Sequence, residues 1–376
     1  MPERFFWSGN IACAEAALRA GCKFYAGYPI TPSSDLMEHM ARELPKRGGV
    51  FFQAEDELAA INAAIGASIA GAKSMTATSG PGFSLMQEAI GYAVMVEVPV
   101  VIVDVMRVGP GTGQATKAAQ GDVMQARWGR HGDQAVVVYA PWSPQEAFDL
   151  TIRAFNTAEE LRVPVIVLTD ELIAHSWETV VAPDEIKVIE RRKPRSFHEP
   201  PFGSKDPRIA PPMPPLGEGY NLLYTGSTHN EWGVRKTIDP EVHYRLVKRI
   251  VDKVFLNVDK LFLCDEYFVD DADVLVISFG SASRSCLEAV RRLRDEGVNA
   301  GLLRLKTLWP LNDQYLRKVI SRVNHVVVVE MNLGQLIYDV ERCIKDQKIA
   351  RLNKVGGGIP VYPHEVVKKV KEVLGK

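Results

Sequence analysis

Residues 100–105 read Val-Val-Ile-Val-Asp-Val, β-branched and apolar except at Asp104. A strand that faces water on one side alternates apolar and polar positions. A run this continuous belongs to a strand covered on both faces, which implies a parallel sheet with helices on either side. The flanking sequence repeats the same unit. Residues 23–27, 49–53, 74–78, 136–139 and 163–169 are strand candidates. Residues 33–44, 57–70, 83–94 and 144–161 carry helical patterns, the first with Ser33 or Ser34 placed to cap it. This strand–helix alternation predicts an α/β fold. A second α/β unit follows, with strands at 274–279, 300–305 and 326–330 and helices at 285–296 and 312–323. Between the two lie Pro200, Pro201, Pro207, Pro211, Pro212, Pro214 and Pro215, too dense for helix or central strand, and then a helix candidate at 243–254. At 376 residues one hydrophobic core is not enough. The expected division is a first domain over 1–195, a Pro-rich linker and connecting segment over 196–255, and a second domain over 256–376.

Composition narrows the function classes. Lys and Arg total 45 against 46 Asp and Glu, for a formal net charge of -1, so no basic field recommends nucleic acid as a partner. No run of 18 apolar residues predicts a membrane span. The opening residues lack the pattern of a secretory signal, and five cysteines without a C-x-x-C pair suit a reducing cytoplasm. No metal or iron–sulfur ligand set is visible among them.

Four motifs follow predicted strands, at the edge where open α/β sheets bind ligands. In Tyr28-Pro29-Ile30-Thr31-Pro32-Ser33-Ser34 two prolines stiffen a loop around Thr31, although on pattern alone a turn followed by an N-cap is the better account. In Glu55-Asp56-Glu57 three acids open a helix. The dipole favours them there, so capping explains them first. The helix after them places small residues (Ala59, Ala60, Ala63, Gly66, Ala67) opposite branched ones (Leu58, Ile61, Ile65, Ile69), which predicts burial on both sides and a desolvated acid at its start. Thr78-Ser79-Gly80-Pro81-Gly82 reads as a tight turn that can also offer backbone N–H groups to an anion. Finally Arg107 ends the buried strand and enters Gly109-Pro110-Gly111-Thr112-Gly113, then Lys117 and Gln120-Gly121-Asp122. A guanidinium held at such an edge suits a carboxylate, which it grips through two parallel hydrogen bonds. His131, in Ala126-Arg127-Trp128-Gly129-Arg130-His131-Gly132-Asp133, is either an acid–base candidate or a structural loop histidine.

Taken in this order, the motifs resemble the alpha chain of the 2-oxoacid:ferredoxin oxidoreductases, closely from Ser8 to about Val180 and more loosely over 220–370. The members that handle 2-oxoglutarate look most similar, through GPGTG, TK, QGD and ARWGRHGD, although GPSTG is the more usual loop there. The resemblance implies a thiamine diphosphate-binding parallel-sheet domain of the pyrimidine type followed by a transketolase C-terminal-like α/β domain. It implies an enzyme active only with partner subunits, oxidising a 2-oxoacid to an acyl-coenzyme A and carbon dioxide with electrons passed to ferredoxin, or running in reverse. No GDG follows, so the diphosphate and Mg²⁺ would sit on a beta subunit, and [4Fe–4S] clusters in partners that include gamma and ferredoxin-like delta chains. By the same match Glu57 is the catalytic acid that meets the pyrimidine, with Glu55 the competing choice. Pro29, Gly80 and Gly82 line the cofactor, and Thr31, Arg107, Thr112 and Lys117 orient the substrate. Alternatives are a branched-chain 2-oxoacid or pyruvate enzyme, a self-contained thiamine-dependent decarboxylase, and a non-catalytic α/β scaffold.

Overall fold

The computed structural model describes residues 2–376. Its larger sheet runs, in order, Thr307–Trp309, Val137–Tyr139, Pro164–Asp170, Val100–Val108, Ser74–Thr78, Phe24–Gly27 and Val50–Gln53. Every neighbouring pair is parallel except the first. All nine residues of Val100–Val108 are buried, as the apolar run requires. Val101, Val103 and Val105 pack on one face with the helices Gly9–Arg19 and Pro144–Leu161. Val100, Ile102 and Met106 pack on the other with Glu57–Ile69 and Gly80–Met95. Asp104 shares this second face by the two-residue period of a strand.

Helix Pro144–Leu161 has the predicted limits. Ser143 caps it by accepting from the Glu146 N–H at 3.2 Å, and Pro144 fills the first turn, where no donor is needed. Helix Glu57–Ile69 departs from expectation. In this chain it buries one face only, and Leu58, Asn62 and Gly66 are exposed. Helix Gly80–Met95 begins three residues before the predicted start, so the glycines of the expected turn form its first turn.

The second sheet runs Cys264–Tyr267, Ala300–Leu305, Val274–Phe279, His325–Glu330 and Lys348–Asn353, with the first strand antiparallel and the rest parallel. Strand Thr307–Trp309 leaves this half and pairs antiparallel with Val137–Tyr139 at the edge of the larger sheet. The halves are also stitched by side chains. The Arg127 guanidinium lies 4.3 Å from the Trp128 ring centroid and 3.7 Å from that of Trp309, and pairs with Asp339.

Residues 183–239 hold no helix or strand longer than an isolated bridge, yet Pro201, Phe202 and 210–214 are buried. Proline offers a carbonyl and no N–H, so such a strap needs donors from elsewhere. Buried Arg162 supplies them, donating to the carbonyls of Pro201 at 2.6 Å and Pro212 at 2.9 Å. Arg191 does the converse, reaching from the strap to Glu159 at 2.6 Å and to the Ser68 carbonyl at 2.6 Å. Among the described residues no helix is long and apolar enough to cross a membrane.

Candidate functional site

The chain runs from Phe24–Gly27 to Val50–Gln53 on one side, then crosses to Ser74–Thr78 on the other. Loops that leave the carboxyl ends of strands on the two sides of such a reversal diverge and open a crevice. Residues 28–34, 54–57, 79–82 and 109–113 all follow carboxyl ends of four adjacent strands there. The first loop is pinned from below. The buried Asn10 amide donates to the Pro32 carbonyl at 2.8 Å, and the Ser33 N–H to the Ile30 carbonyl at 2.9 Å. Ser33 stands at the cap of helix Ser34–Glu43, but its hydroxyl turns back to the Ile30 carbonyl and makes no capping bond.

The three acids separate into three roles. Asp56 caps the helix, its Oδ1 accepting from the Ala59 N–H at 2.7 Å. Glu55 is exposed. Glu57 is the first helical residue and only 5% exposed. Burial is the larger influence on its carboxyl and raises it above the usual range. Its own backbone N–H and Arg107 pull the other way, and the Asp56 charge adds to the rise. Gly82 makes room for it. A Cβ at 82 would stand 2.2 Å from Glu57 Oε1 and 2.2 Å from Thr78 Oγ1, so the acid occupies space that any other residue there would take.

Val100–Val108 turns through a hairpin into Gln114–Ala118. Gly113, at φ +50°, lies under Val108, whose carbonyl oxygen would be 1.7 Å from a Cβ. Arg107 is largely buried and donates from Nη1 to the Thr31 carbonyl at 2.7 Å, while its Nε finds no acceptor. It opens on a cavity of about 580 Å³ whose walls include Gly80, Pro110, Asp122, Asn332, Leu333 and Gln335. The structure thus joins Gly80 and Arg107 at one opening, with Gly82 in the same helical turn as Gly80 and Glu57 beside it. Thr31 is exposed and off the cavity wall, tied to the site only through its carbonyl on Arg107. Pro29, Thr112 and Lys117 are likewise exposed and off the cavity wall. Lys117 instead runs along Gly358, where a Cβ would meet its Cδ at 2.7 Å. His131 is exposed and lines a different hollow, with His243.

The second half supplies a wall that the sequence did not announce. Residues 331–335 follow strand His325–Glu330 as Met-Asn-Leu-Gly-Gln, shaped by the Glu330 carboxylate, which accepts from the Gln335, Leu336 and Ile337 N–H groups. The buried Gln120 ties this loop down. Its Oε1 accepts from Met331 N–H at 3.0 Å, and its carbonyl from Asn332 Nδ2 at 2.7 Å. Gln335 returns the contact, donating to the Gly121 carbonyl at 2.6 Å. A polar, glycine-bearing run straight after an apolar strand was the available signal. Among the described residues no three His, Cys, Asp or Glu side chains stand close enough to share a metal ion.

Residues 15–249 match the family described as pyruvate flavodoxin/ferredoxin oxidoreductase, thiamine diP-bdg, and residues 272–366 match pyruvate:ferredoxin oxidoreductase core domain II. The chain is 48% identical over 373 residues to 2-oxoglutarate synthase subunit KorA of Methanothermobacter thermautotrophicus, covering 98% of this chain and 99% of that protein. The KorA subunit of Methanocaldococcus jannaschii is 49% identical at the same coverage. Ketoisovalerate oxidoreductase subunit VorB of M. thermautotrophicus is 35% identical, over 98% of this chain and 97% of that one. Among solved structures, 2-oxoglutarate:ferredoxin oxidoreductase from Magnetococcus marinus, with 2-oxoglutarate, coenzyme A and succinyl-CoA bound, superposes with a TM-score of 0.93 at 33% identity. It covers 98% of this chain, which spans 65% of that one. A split-gene transketolase shares the fold at 15% identity, a TM-score of 0.59 and 98% coverage of both chains. With both halves matched and the first spanning more than half of its length, the chain belongs to the 2-oxoacid:ferredoxin oxidoreductase family.

Proposed function

We propose that this chain is the alpha subunit of a 2-oxoglutarate:ferredoxin oxidoreductase, which with its partners converts 2-oxoglutarate and coenzyme A to succinyl-coenzyme A and carbon dioxide and passes the electrons to ferredoxin, or runs the reverse carboxylation. The observation that carries the chemistry is Glu57, an acid withdrawn from water at the sheet's crevice and given its space by Gly82. That arrangement fits the pyrimidine ring of thiamine diphosphate, which needs one carboxyl at hydrogen-bonding range in an otherwise apolar cleft. Bound, the cofactor supplies the electron sink for decarboxylation of a 2-oxoacid. Glu57 holds the proton that the ring nitrogen shares, and its burial favours it over exposed Glu55 for that task. Exposed Leu58 and Gly66 on the outer face of its helix suit cover by a second polypeptide. A beta subunit holding Mg²⁺ and the diphosphate belongs to the same reading, since the chain has no GDG run. So do gamma and ferredoxin-like delta subunits carrying the iron–sulfur clusters, and a cytoplasmic setting.

Arg107 holds a substrate carboxylate. One arm is fixed on Thr31, and the side chain lines the cavity, its Nε buried and without an acceptor. In the assembled enzyme, Arg107→Ala is expected to raise KM for 2-oxoglutarate by about 10- to 100-fold, the worth of a charge-assisted hydrogen bond. Lys at this position is not expected to restore it, because an ammonium lacks the planar fork. The reading as a whole is tested by oxidation assays over a panel of 2-oxoacids. Preference for 2-oxoglutarate supports it; preference for a branched-chain acid or pyruvate, with which apolar Leu333 and Val355 in the cavity wall are compatible, overturns the substrate assignment.

A further inference from the structure

Asp104 is fully buried in the central strand, and neither of its carboxyl oxygens finds a hydrogen-bond donor. The group it meets is another acid, Asp122, whose Oδ2 also lacks a donor and whose carboxyl reaches the cavity wall. Read as two carboxylates, this is acceptor against acceptor out of water, which costs several kcal/mol and is relieved by a proton. With one proton, Asp104 becomes a donor to Asp122 and the pair satisfies itself. Burial, reinforced by the Asp122 charge, pushes Asp104 well above the usual carboxyl range. Burial also lifts Asp122 to about 6, against the Asp104 hydrogen bond and the Arg107 charge.

The surroundings add little other charge. Arg107 stands three residues along the same strand. On one neighbouring strand Thr78 lies opposite Asp104, with Glu57 beyond it. On the other, Asp170 lies opposite Met106, its carboxyl accepting from Gln120 Nε2 and the Ser281 and Ile173 N–H groups. Helix Gly80–Met95 brings Gly80, where a Cβ would lie 3.4 Å from Asp122 Oδ2. Among the described residues lining the cavity, Arg107 and Asp122 are the charged ones.

We propose that Asp104 and Asp122 work as one acid pair, with Asp104 keeping the proton and Asp122 setting the charge beside Arg107, and that the pair thereby governs how tightly the cavity holds an anionic substrate. The inference rests on Arg107 as the carboxylate contact. While Asp122 is protonated, the guanidinium charge is free for the substrate. Once Asp122 ionises, its carboxylate competes for that charge, so affinity falls as pH rises through about 6. These are positioning residues; neither is asked to take part in the chemical step.

The test is the pH profile, from 5.5 to 7.5, of KM and of equilibrium binding for the 2-oxoacid that the assembled enzyme prefers. The wild-type KM is expected to rise about tenfold across that window, the scale of one nearby charge in a partly shielded site. Asp122→Asn should hold KM low and flat. Asp104→Asn donates as the acid does and should keep the step, whereas Asp104→Leu removes the donor and should move it to higher pH. An Asp122→Asn profile that climbs like wild type overturns the proposal, as does an Asp104→Leu step that stays in place in folded enzyme. A merely structural role for the pair would change melting temperature and leave these midpoints alone. If Arg107→Ala fails to weaken binding, the carboxylate contact falls instead, which separates the two failures.

Discussion

Glu57→Gln is expected to lower kcat of the assembled enzyme by about a thousandfold, the middle of the range for a positioned acid–base group. The amide is the same shape and keeps the first position of helix Glu57–Ile69, so neither the Asp56 cap nor the packing of Ile61 and Ala64 is disturbed. What it loses is the proton that a carboxyl with a raised affinity holds in this cleft. The sign is testable. A group lifted by burial is protonated below its folded value, so wild-type kcat should change with pH where Glu57 titrates, and the variant should lack that inflection. Thiamine diphosphate should still bind, as measured by its retention on the purified complex. A kcat within threefold of wild type would remove Glu57 from the reaction and return Glu55 to consideration.

The second large effect comes from a residue with no functional group. Gly82→Ala places a methyl 2.2 Å from the Glu57 carboxyl and 2.2 Å from Thr78 Oγ1, far inside van der Waals contact. Both neighbours are held, Thr78 by the central sheet and Glu57 by its capped helix. The acid must therefore swing out of its cleft or the first turn of Gly80–Met95 must shift. Displacements near 1 Å at a reacting group cost about a hundredfold or more, so Gly82→Ala should lose kcat on the scale of Glu57→Gln. The two differ in their signature. The alanine variant should also lose cofactor retention and pH dependence together, because the carboxyl is present but misplaced. Alanine at Gly80, where the nearest atom to a Cβ is 3.4 Å away, is the control expected to cost far less.

Much of the fold was legible because its signals are local. The run at 100–105 required a doubly covered strand, and the helical pattern over 144–161 has limits that the structure reproduces. Strand Thr307–Trp309 was not legible, since three residues carry no period and its partner lies in the other half of the chain. The start at Gly80 was missed because Gly-Pro-Gly opposes helix by propensity. Proline is nonetheless welcome in a first turn, and the absence of a side chain at 82 is what the packing demands. Within the site, Glu57, Arg107 and Thr31 were visible as residue types following strands. Asp104 stood out only as an interruption, and its partner lay 18 positions on in an apparent loop. The cavity wall at 331–335 depends on how the two halves dock, which no short window of sequence encodes.

The strand Thr307–Trp309 has a practical consequence. Severing the polypeptide near residue 256 would strip the border from Val137–Tyr139, leaving backbone N–H and carbonyl groups of an apolar ribbon open to any passing chain. The Trp309 face against Arg127 would go with it. Neither fragment is then a usable miniature of the enzyme: the amino-terminal piece should clump at modest concentration, and the intact polypeptide should melt in a single step.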